Sequence, residues 1–197
     1  MATSAAQTIL TPEEYIILER KAIPDAETVR NEYVKGKIIA MSGASRAHNL
    51  ITMNISAMLH INLKGRGCET YANEMRVSTP STSSYFYPDV VVVCEEPRFE
   101  DDVFDILLNP ILLVEVLSPS TEVYDRGEKF RHYRELPSLQ EYILVAQDKI
   151  CIERFNRQEN NWILTDFQNI EERLSLISVQ CELPLHEIYD RVTFPDN

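Results

Sequence analysis

The most informative segment of this chain is Ile111-Leu112-Leu113-Val114-Glu115-Val116-Leu117-Ser118-Pro119-Ser120-Thr121. Seven residues of almost continuous apolar character predict a strand in a sheet that is covered on both faces. The polar residues that follow have helix-start chemistry, and we expect a helix from there to about Leu136, before Pro137. One carboxylate, Glu115, interrupts the strand. Burying it is costly unless it is paired, protonated or bound to a metal ion.

A second apolar strand lies upstream, and an acid stands at its start. Tyr87-Pro88-Asp89-Val90-Val91-Val92-Val93 is apolar from Val90 onwards. Around these two strands the sequence predicts a helix starting at Thr11-Pro12, a hairpin over 32–41 that turns at Lys35-Gly36, a helix from Ser45 to Gly65, and strands at 68–77, 141–146, 150–155 and 162–167. This order predicts an α/β (α+β) domain in which helices flank a mixed central sheet.

The charge balance argues first against a nucleic-acid partner. The 197 residues carry 31 Asp and Glu against 19 Lys and Arg, with a net charge of −12 and a pI near 4.8, and such a chain repels a phosphate backbone. The charge is uneven, however: residues 95–105 hold six acids and one arginine, whereas residues 126–134 hold four basic residues and one acid. DNA is therefore not excluded. We expect weak binding without a divalent metal and a steep loss with salt.

Several classes of protein are not supported by the sequence. Residues 1–10 have no basic start followed by an apolar stretch, so no signal peptide is predicted. The longest apolar runs are too short to span a membrane. The four cysteines, Cys68, Cys94, Cys151 and Cys181, have no C-x-x-C spacing and no nearby His pair. We expect them to be reduced, and the chain to be cytoplasmic and without a membrane partner.

Asp89 and Glu115 together predict a metal site. Two acids on neighbouring buried strands, followed by a helix with Lys129, can hold Mg²⁺ or Mn²⁺, because these ions need only one or two carboxylates besides water and substrate phosphate. Such an ion activates water and stabilises charge on a phosphodiester. Taken singly, Asp89 has the simpler interpretation of a strand or turn cap, and Glu115 that of a solvated acid on an edge strand. Asp125 is interpreted first as the salt-bridge partner of Lys129 within the helix.

These residues resemble those of a known family. The resemblance is carried by Pro88-Asp89, Glu115-Val116-Leu117-Ser118-Pro119-Ser120-Thr121, Asp125-Arg126-x-x-Lys129 with Tyr133, and Glu141-Tyr142. They are similar to the Uma-two restriction endonuclease family of the PD-(D/E)XK nuclease superfamily, which is numerous in cyanobacteria. The resemblance extends from Glu32-Tyr33, through residues 41–45 with His48, to about Val145. It implies a restriction-endonuclease-like mixed sheet in one domain over 1–197, with an N-terminal helix at about 11–22, a core at about 30–168 and a C-terminal extension at about 169–197.

The resemblance also implies a role for each candidate residue. Asp89, Glu115 and the backbone carbonyl of Val116 would hold one or two Mg²⁺ (or Mn²⁺) ions. Leu117 stands where the superfamily has its lysine, and Lys129 would replace it, orienting or deprotonating the attacking water and stabilising the developing charge. Glu32 would be an auxiliary acid, or else a solvated acid at a strand end. His48 would lie at the mouth of the site, or else be a polar residue of the helix start. Asp125 is a further accessory candidate, and Arg126, Arg131 and Arg134 would contact DNA or form a solvated helix face. Tyr133 and Tyr142 are assigned to the core.

The leading hypothesis is therefore a divalent-metal-dependent endonuclease that hydrolyses DNA phosphodiester bonds. A homodimer is compatible with it, because many nucleases address two strands. Two other functions stay open. A catalytically silent binding or interaction module is suggested by Leu117 and by the acidic charge. A metal-dependent hydrolase of a small phosphate ester would bind metal but have no affinity for DNA at low salt.

Overall fold

The computed structural model of the chain describes residues 9–22, 30–41 and 43–195. The helices are α1 (Pro12–Ala22), α2 (Arg46–Leu63), α3 (Glu122–Tyr124), α4 (Phe130–Tyr133) and α5 (Leu185–Ile188), with a 3₁₀ turn at Pro80–Thr82 and a π-helical turn at Asp125–Lys129. The strands are β1 (Asn31–Val34), β2 (Lys37–Ala40), β3 (Cys68–Ala72), β4 (Arg76–Thr79), β5 (Ser84–Phe86), β6 (Val90–Cys94), β7 (Ile106–Leu107), β8 (Leu112–Leu117), β9 (Glu141–Ala146), β10 (Ile152–Gln158), β11 (Asn161–Phe167), β12 (Arg173–Leu176) and β13 (Cys181–Pro184). We call residues 122–133, which join α3, the π-helical turn and α4, the lysine helix.

The two apolar strands predicted from the sequence lie side by side in a six-stranded mixed sheet. The strand order is β11-β10-β9-β8-β6-β3, in which β8 and β9 are parallel and the other neighbours are antiparallel. Every residue of β8 and β9 is buried, which explains why both strands consist almost entirely of apolar residues. The predicted α/β (α+β) architecture is confirmed.

Alternate residues of β8 project into two different cores, one on each face of the sheet. Leu112, Val114 and Val116 pack against α2 and the C-terminal segment. Leu113 and Leu117 pack against the lysine helix and the smaller sheet. Because side chains alternate along a strand, the carboxylate at position 115 projects to the same face as these two leucines, towards the lysine helix.

A smaller sheet, ordered β2-β1-β5-β4-β7, covers that second face. The predicted hairpin turns at Lys35 and Gly36, whose φ values of 48° and 92° are the left-handed pair that a tight two-residue turn requires. Helix α1 packs beside this sheet and begins with the predicted capping box. Thr11 N donates to Glu14 Oε2 at 2.8 Å, and Glu14 N donates to Thr11 Oγ1 at 3.2 Å.

Helix α2 covers the first face of the large sheet, as its apolar spacing predicts. Ser45 is its N-cap, since Ser45 Oγ accepts a hydrogen bond from His48 N at 3.0 Å. The chain leaves the helix before Gly65, whose φ of 77° is left-handed. Among the described residues, α2 and the other helices include none that is long and apolar enough to cross a bilayer.

The lysine helix is shorter and less regular than predicted. The sequence predicts a helix from Ser118 to about Leu136, but the helix begins only at Glu122. Ser118 Oγ and Thr121 Oγ1 lie 3.0 Å apart, and each hydroxyl accepts from the other residue's backbone N–H, so these side chains stabilise a turn instead. The π-helical turn that follows is a rare widening of the helix that recurs at functional sites.

Two expectations from the sequence are wrong. The strand predicted over 68–77 is two strands, β3 and β4, because the chain turns at Asn73, which has a φ of 61°. Cys68 and Cys94, expected to be reduced, form a disulfide. They stand directly opposite each other in the antiparallel pair of β3 and β6, so strand pairing joins two thiols that are 26 residues apart in sequence. Cys151 and Cys181 are free, as expected.

The C-terminal segment completes the first core through the β12–β13 hairpin and α5. Its turn is held by Glu141, a fully buried carboxylate at the start of β9. Glu141 accepts hydrogen bonds from Ile177 N at 3.0 Å, and from Ser178 N at 2.9 Å and Ser178 Oγ at 2.5 Å. Charge-assisted bonds of this kind are stronger than neutral ones, so Glu141 has a structural role.

Replacing Glu141 by glutamine should destabilise the fold. Whichever oxygen becomes the NH₂ group, a backbone N–H of the turn loses its acceptor, so we expect the free energy of unfolding to fall by about 1.5–3 kcal/mol. Urea denaturation of Glu141→Gln measures the loss. The exposed Glu171→Gln is the matched control, and an equal, small change in both variants would contradict the role of Glu141.

His132 should make the fold sensitive to mild acid. It is buried, and neither ring nitrogen has a hydrogen-bond partner within the described ranges. Burial lowers its pKa below 6.5, and Lys35 and Arg131 act in the same direction, against Glu128 and Glu135. Because the folded state resists protonation, the stabilisation is present above the unfolded pKa and is lost as the pH falls below it.

His132→Phe should remove this acid sensitivity while keeping a ring beside Phe86, whose centroid lies 5.5 Å from that of His132. The measurement is the free energy of unfolding of both proteins at several pH values from about 7 to about 5, across the ordinary histidine pKa. We expect a shallower decline for the variant. Parallel declines would show that His132 is not the group responsible.

Candidate active site

Asp89 and Glu115 adjoin the place where β6 begins beside β8. The last pair of these antiparallel strands joins Val90 to Val114, and Asp89 and Glu115 are the residues next to that pair. Asp89 Oδ2 also accepts a hydrogen bond from Val116 N at 2.7 Å. The structure therefore brings together the two acids that the sequence singles out.

Lys129 enters the same place from the lysine helix. Its Nζ lies 2.8 Å from Glu115 Oε1, 2.8 Å from Glu32 Oε1 and 3.7 Å from Asp125 Oδ1, and the side chain is only 5% exposed. Leu117, at the position where the superfamily has lysine, is instead part of the second core. The ammonium thus reaches the acids from a neighbouring helix rather than from β8.

Glu32 and Glu115 are both buried, which excludes the solvated alternatives for these two residues. Glu32 lies in β1, an interior strand of the smaller sheet, and its Oε1 accepts from Tyr87 N at 3.2 Å as well as from Lys129. Glu115 lies in a central strand and not at a sheet edge. One ammonium therefore joins carboxylates from both sheets.

Tyr133 is a site contact that the sequence-based interpretation missed. Its ring lies in the core, as assigned, but its hydroxyl donates to Glu115 Oε1 at 2.9 Å. The sequence does contain a signal for this contact. Asp125, Lys129 and Tyr133 follow one another at intervals of four residues, which places them on one helix face. Tyr142, on β9, donates its hydroxyl to the backbone oxygen of Asp125 at 3.1 Å and so holds the π-helical turn against the sheet.

Burial and neighbouring charges shift the pKa values of these groups. Burial raises the pKa of Glu115 well above 4.5; Lys129 opposes this shift, and Asp125, Asp89 and Glu32 add to it. Burial also raises the pKa of Asp125. For Lys129, burial lowers the pKa, but Glu115, Glu32 and Asp125 outweigh it, so the pKa rises well above 10.5. Lys129 is therefore an ammonium at neutral pH.

His48 lies beside Asp89 rather than apart from the site. It belongs to the first turn of α2, and its Nε2 is 3.2 Å from Asp89 Oδ1. Both interpretations of His48 therefore describe its location: it belongs to the helix start, and it contacts a site acid.

The three candidate DNA-contacting arginines do not converge on the acids. Arg126 is paired with Glu122, at 3.0 Å, and with Glu153. Arg131 and Arg134 are exposed on the outer side of the lysine helix, where the Arg134 guanidinium lies over the Phe130 ring at 5.2 Å. Arg131 also lies 3.7 Å from Glu128 Oε1 in an exposed ion pair.

The described residues include no group of three or more His, Cys, Asp or Glu side chains that could hold a metal ion. The lysine explains this, because Nζ occupies the point where Glu32, Glu115 and Asp125 converge. A two-carboxylate site still fits the donor set. Lys129 faces three carboxyl groups, Asp89 lies outside these ion pairs, and Mg²⁺ needs only one or two carboxylates besides water. Asp89, whose side chain is 13% exposed, offers the most open carboxylate of the group.

A mixed sheet that carries acids at two adjacent strands, with a lysine beside them, has the restriction-endonuclease-like architecture implied by the sequence. The chain belongs to the Uma2 family, described as "Putative restriction endonuclease", whose model matches residues 12–186. This match confirms the resemblance to the Uma-two family.

Relatives cover nearly the whole chain. It is 37% identical over 182 residues to the uncharacterized protein sll1609 of Synechocystis sp., covering 91% of this chain and 100% of that protein. It is 35% identical over 186 residues to the uncharacterized protein slr1290 of the same organism, covering 94% of each. A crystal structure titled as a putative nuclease belonging to DUF820, from Anabaena variabilis, matches with a TM-score of 0.74 at 17% identity, over 93% of this chain and 99% of that one. At this identity the likeness shows the fold alone.

Replacing Lys129 by methionine should destabilise the protein strongly. The variant leaves Glu32 and Glu115 buried without their cation, and removing one partner of a buried ion pair costs about 3–5 kcal/mol. We expect the loss near neutral pH and a smaller loss in acid, where the carboxyl groups are protonated. Urea denaturation at both pH values tests this, with the exposed Lys149→Met as control. An equal loss at both pH values would contradict the electrostatic origin.

Proposed function

We propose that this protein is a divalent-metal-dependent endonuclease that hydrolyses DNA phosphodiester bonds at the Asp89–Glu115–Lys129 cluster. The observation that carries the proposal is the position of Lys129 Nζ, 2.8 Å from Glu115 Oε1. It supplies an ammonium beside the paired acids although Leu117 has replaced the lysine of the strand. Family membership supports a nuclease in general; the metal, the substrate and the residue roles are our inference.

Asp89 and Glu115 would hold Mg²⁺ or Mn²⁺, together with the backbone carbonyl of Val116 and water molecules. The bound ion would supply Lewis-acid chemistry, lowering the pKa of water and stabilising negative charge on the phosphate. Asp89 is oriented for this role by Val116 N, and Glu115 by Tyr133. Fixed carboxylates of this kind need no rearrangement when a ligand arrives.

Lys129 would act as a charged donor and not as a base. Because the surrounding carboxylates hold its pKa well above 10.5, it has no free electron pair with which to take a proton from water at neutral pH. Its ammonium would instead orient the attacking water and stabilise the charge that develops on the phosphate oxygens. Glu32 and Asp125 would hold that ammonium in place, and His48 would border the entrance beside Asp89.

DNA would approach along the outer side of the lysine helix. Arg131 and Arg134 are exposed there, whereas the formal net charge of the chain is −12. Binding should therefore be weak without divalent metal and should decrease as salt rises, with a slope set by the few phosphate contacts. Cutting both strands of a duplex with one site per chain would use two copies of the protein.

A catalytically silent binding module is the second candidate, and one observation favours it. Lys129 already neutralises part of the acidic cluster and occupies the point where three carboxylates converge. A fold that had lost catalysis could keep this network as a structural ion pair. Calorimetry distinguishes the candidates, because the silent module should not bind Mg²⁺ or Mn²⁺ up to millimolar concentrations.

Cleavage of supercoiled plasmid DNA tests the proposed activity. We expect cleavage by the wild-type protein with Mg²⁺ or Mn²⁺, and none with a chelator. Asp89→Asn and Glu115→Gln keep the side-chain shape but remove the charge that would hold the ion, so their cleavage rates should fall by a factor on the order of 10²–10³.

The control for this experiment is Glu171→Gln, which removes an exposed carboxylate outside the lysine helix and should cleave at the wild-type rate. Equal rates in the wild type, Asp89→Asn and Glu115→Gln would refute these residue roles. Metal binding with hydrolysis of a small phosphate ester, but without DNA affinity at low salt, would identify the third function.

A further inference from the structure

Gln147 makes two side-chain contacts that the proposed catalytic roles leave unexplained. It is the first residue after β9, at the end of the sheet where β8 also ends. Its Nε2 donates to the backbone oxygen of Leu117 at 2.8 Å, and its Oε1 accepts from Ser45 Oγ. One amide group thus links the end of β8 to the start of α2.

The contacts continue from Ser45 to the candidate active site. Ser45 Oγ accepts from His48 N at 3.0 Å, and His48 Nε2 lies 3.2 Å from Asp89 Oδ1. Asp89 Oδ2 accepts from Val116 N at 2.7 Å. Since Val116 precedes Leu117 in the chain, the contacts form a closed ring that returns to the residue next to its starting point.

We propose that Gln147 is a positioning residue, which acts through Ser45 to fix the His48 ring against Asp89. The proposal rests on the proposed function where it treats Asp89 as a metal ligand. Asp89 precedes β6, and its two oxygens are held by different elements: one by β8 and the other by the first turn of α2. The apolar residues of α2 fix the helix to the sheet, and Gln147 adds a polar attachment at the N-cap, next to the turn that orients Asp89.

An amide at position 147 matches the chemistry of the ring. The backbone oxygen of Leu117 accepts a hydrogen bond, whereas the Ser45 hydroxyl, which accepts from His48 N, donates its proton to Gln147. A carboxamide provides both from separate atoms, with Nε2 as the donor and Oε1 as the acceptor. Residues that orient metal ligands in this indirect way typically contribute about 10–100-fold to metal affinity or activity.

The test compares Gln147→Met with Gln140→Met in the full chain. Gln140 is the matched control, because it is a partly buried glutamine that adjoins the opposite end of the same strand. Among the described residues, its side chain makes one long hydrogen bond, 3.4 Å to Ser138 O. Two quantities are measured: the Mn²⁺ dissociation constant by calorimetry, and the proton resonances of the His48 ring in the metal-free protein. The His48 resonances are assigned with His48→Asn.

We expect Gln147→Met to raise the Mn²⁺ dissociation constant by about 10-fold or more, and to move the His48 ring resonances towards those of a free imidazole. Gln140→Met should change neither quantity. The melting temperature of each variant is recorded as well, because a general loss of structure would alter all ring resonances and not those of His48 alone. Unchanged His48 resonances in a folded Gln147→Met variant would overturn the proposal.

A second pair of variants tests the same ring from Ser45. Asparagine and aspartate both preserve the N-cap acceptor, but only asparagine also keeps a donor for Gln147. Ser45→Asn should therefore retain the wild-type His48 resonances and Mn²⁺ affinity, whereas Ser45→Asp should lose both. Identical behaviour of the two variants would overturn the proposal. If the wild type binds no Mn²⁺, the proposed function fails, and the His48 resonances alone still decide whether Gln147 positions His48.

Discussion

The rest of the site depends on one buried ammonium. Lys129 Nζ lies between Glu32 of the smaller sheet and Glu115 of the larger one, and all three side chains are only 5% exposed. Charges so far from water are tolerated only when they are paired with good geometry. The two sheets and the lysine helix must therefore assemble together, because any one of them alone would bury an uncompensated charge. The same constraint holds the acids of the candidate active site in a single arrangement.

The π-helical turn allows this arrangement to form on a short helix. Asp125 and Lys129 mark its two ends, and both are buried although their neighbours Arg126 and Glu128 are not. A widened turn directs two polar side chains into the sheet, while the following apolar residue, Phe130, still packs in the second core. A hydrogen bond from the Tyr142 hydroxyl to the backbone oxygen of Asp125 stabilises this irregular turn.

Much of the fold could be predicted because its determinants are local. Alternation and apolar runs indicate the strands, Thr11 and Glu14 form their capping box within one turn, and Ser45 begins α2. The acids of the site were also visible, since a carboxylate within an apolar strand is conspicuous. What could not be predicted depends on strand pairing. The Cys68–Cys94 disulfide and the Gln147–Ser45 contact join residues 26 and 102 positions apart, and no sequence spacing indicates them.

The groups that are costly to bury are already visible in the amino-acid sequence: Asp89, Glu115 and Lys129 lie in or beside segments whose apolar residues must enter a core. How that cost is met depends on the way the segments pack. Packing places Lys129 against Glu115, adds Glu32 from another sheet and gives Tyr133 a polar contact inside the core. Burial follows from the chemistry of each segment, whereas charge pairing depends on the distances between segments, and those exist only after the sheets and the helix have packed.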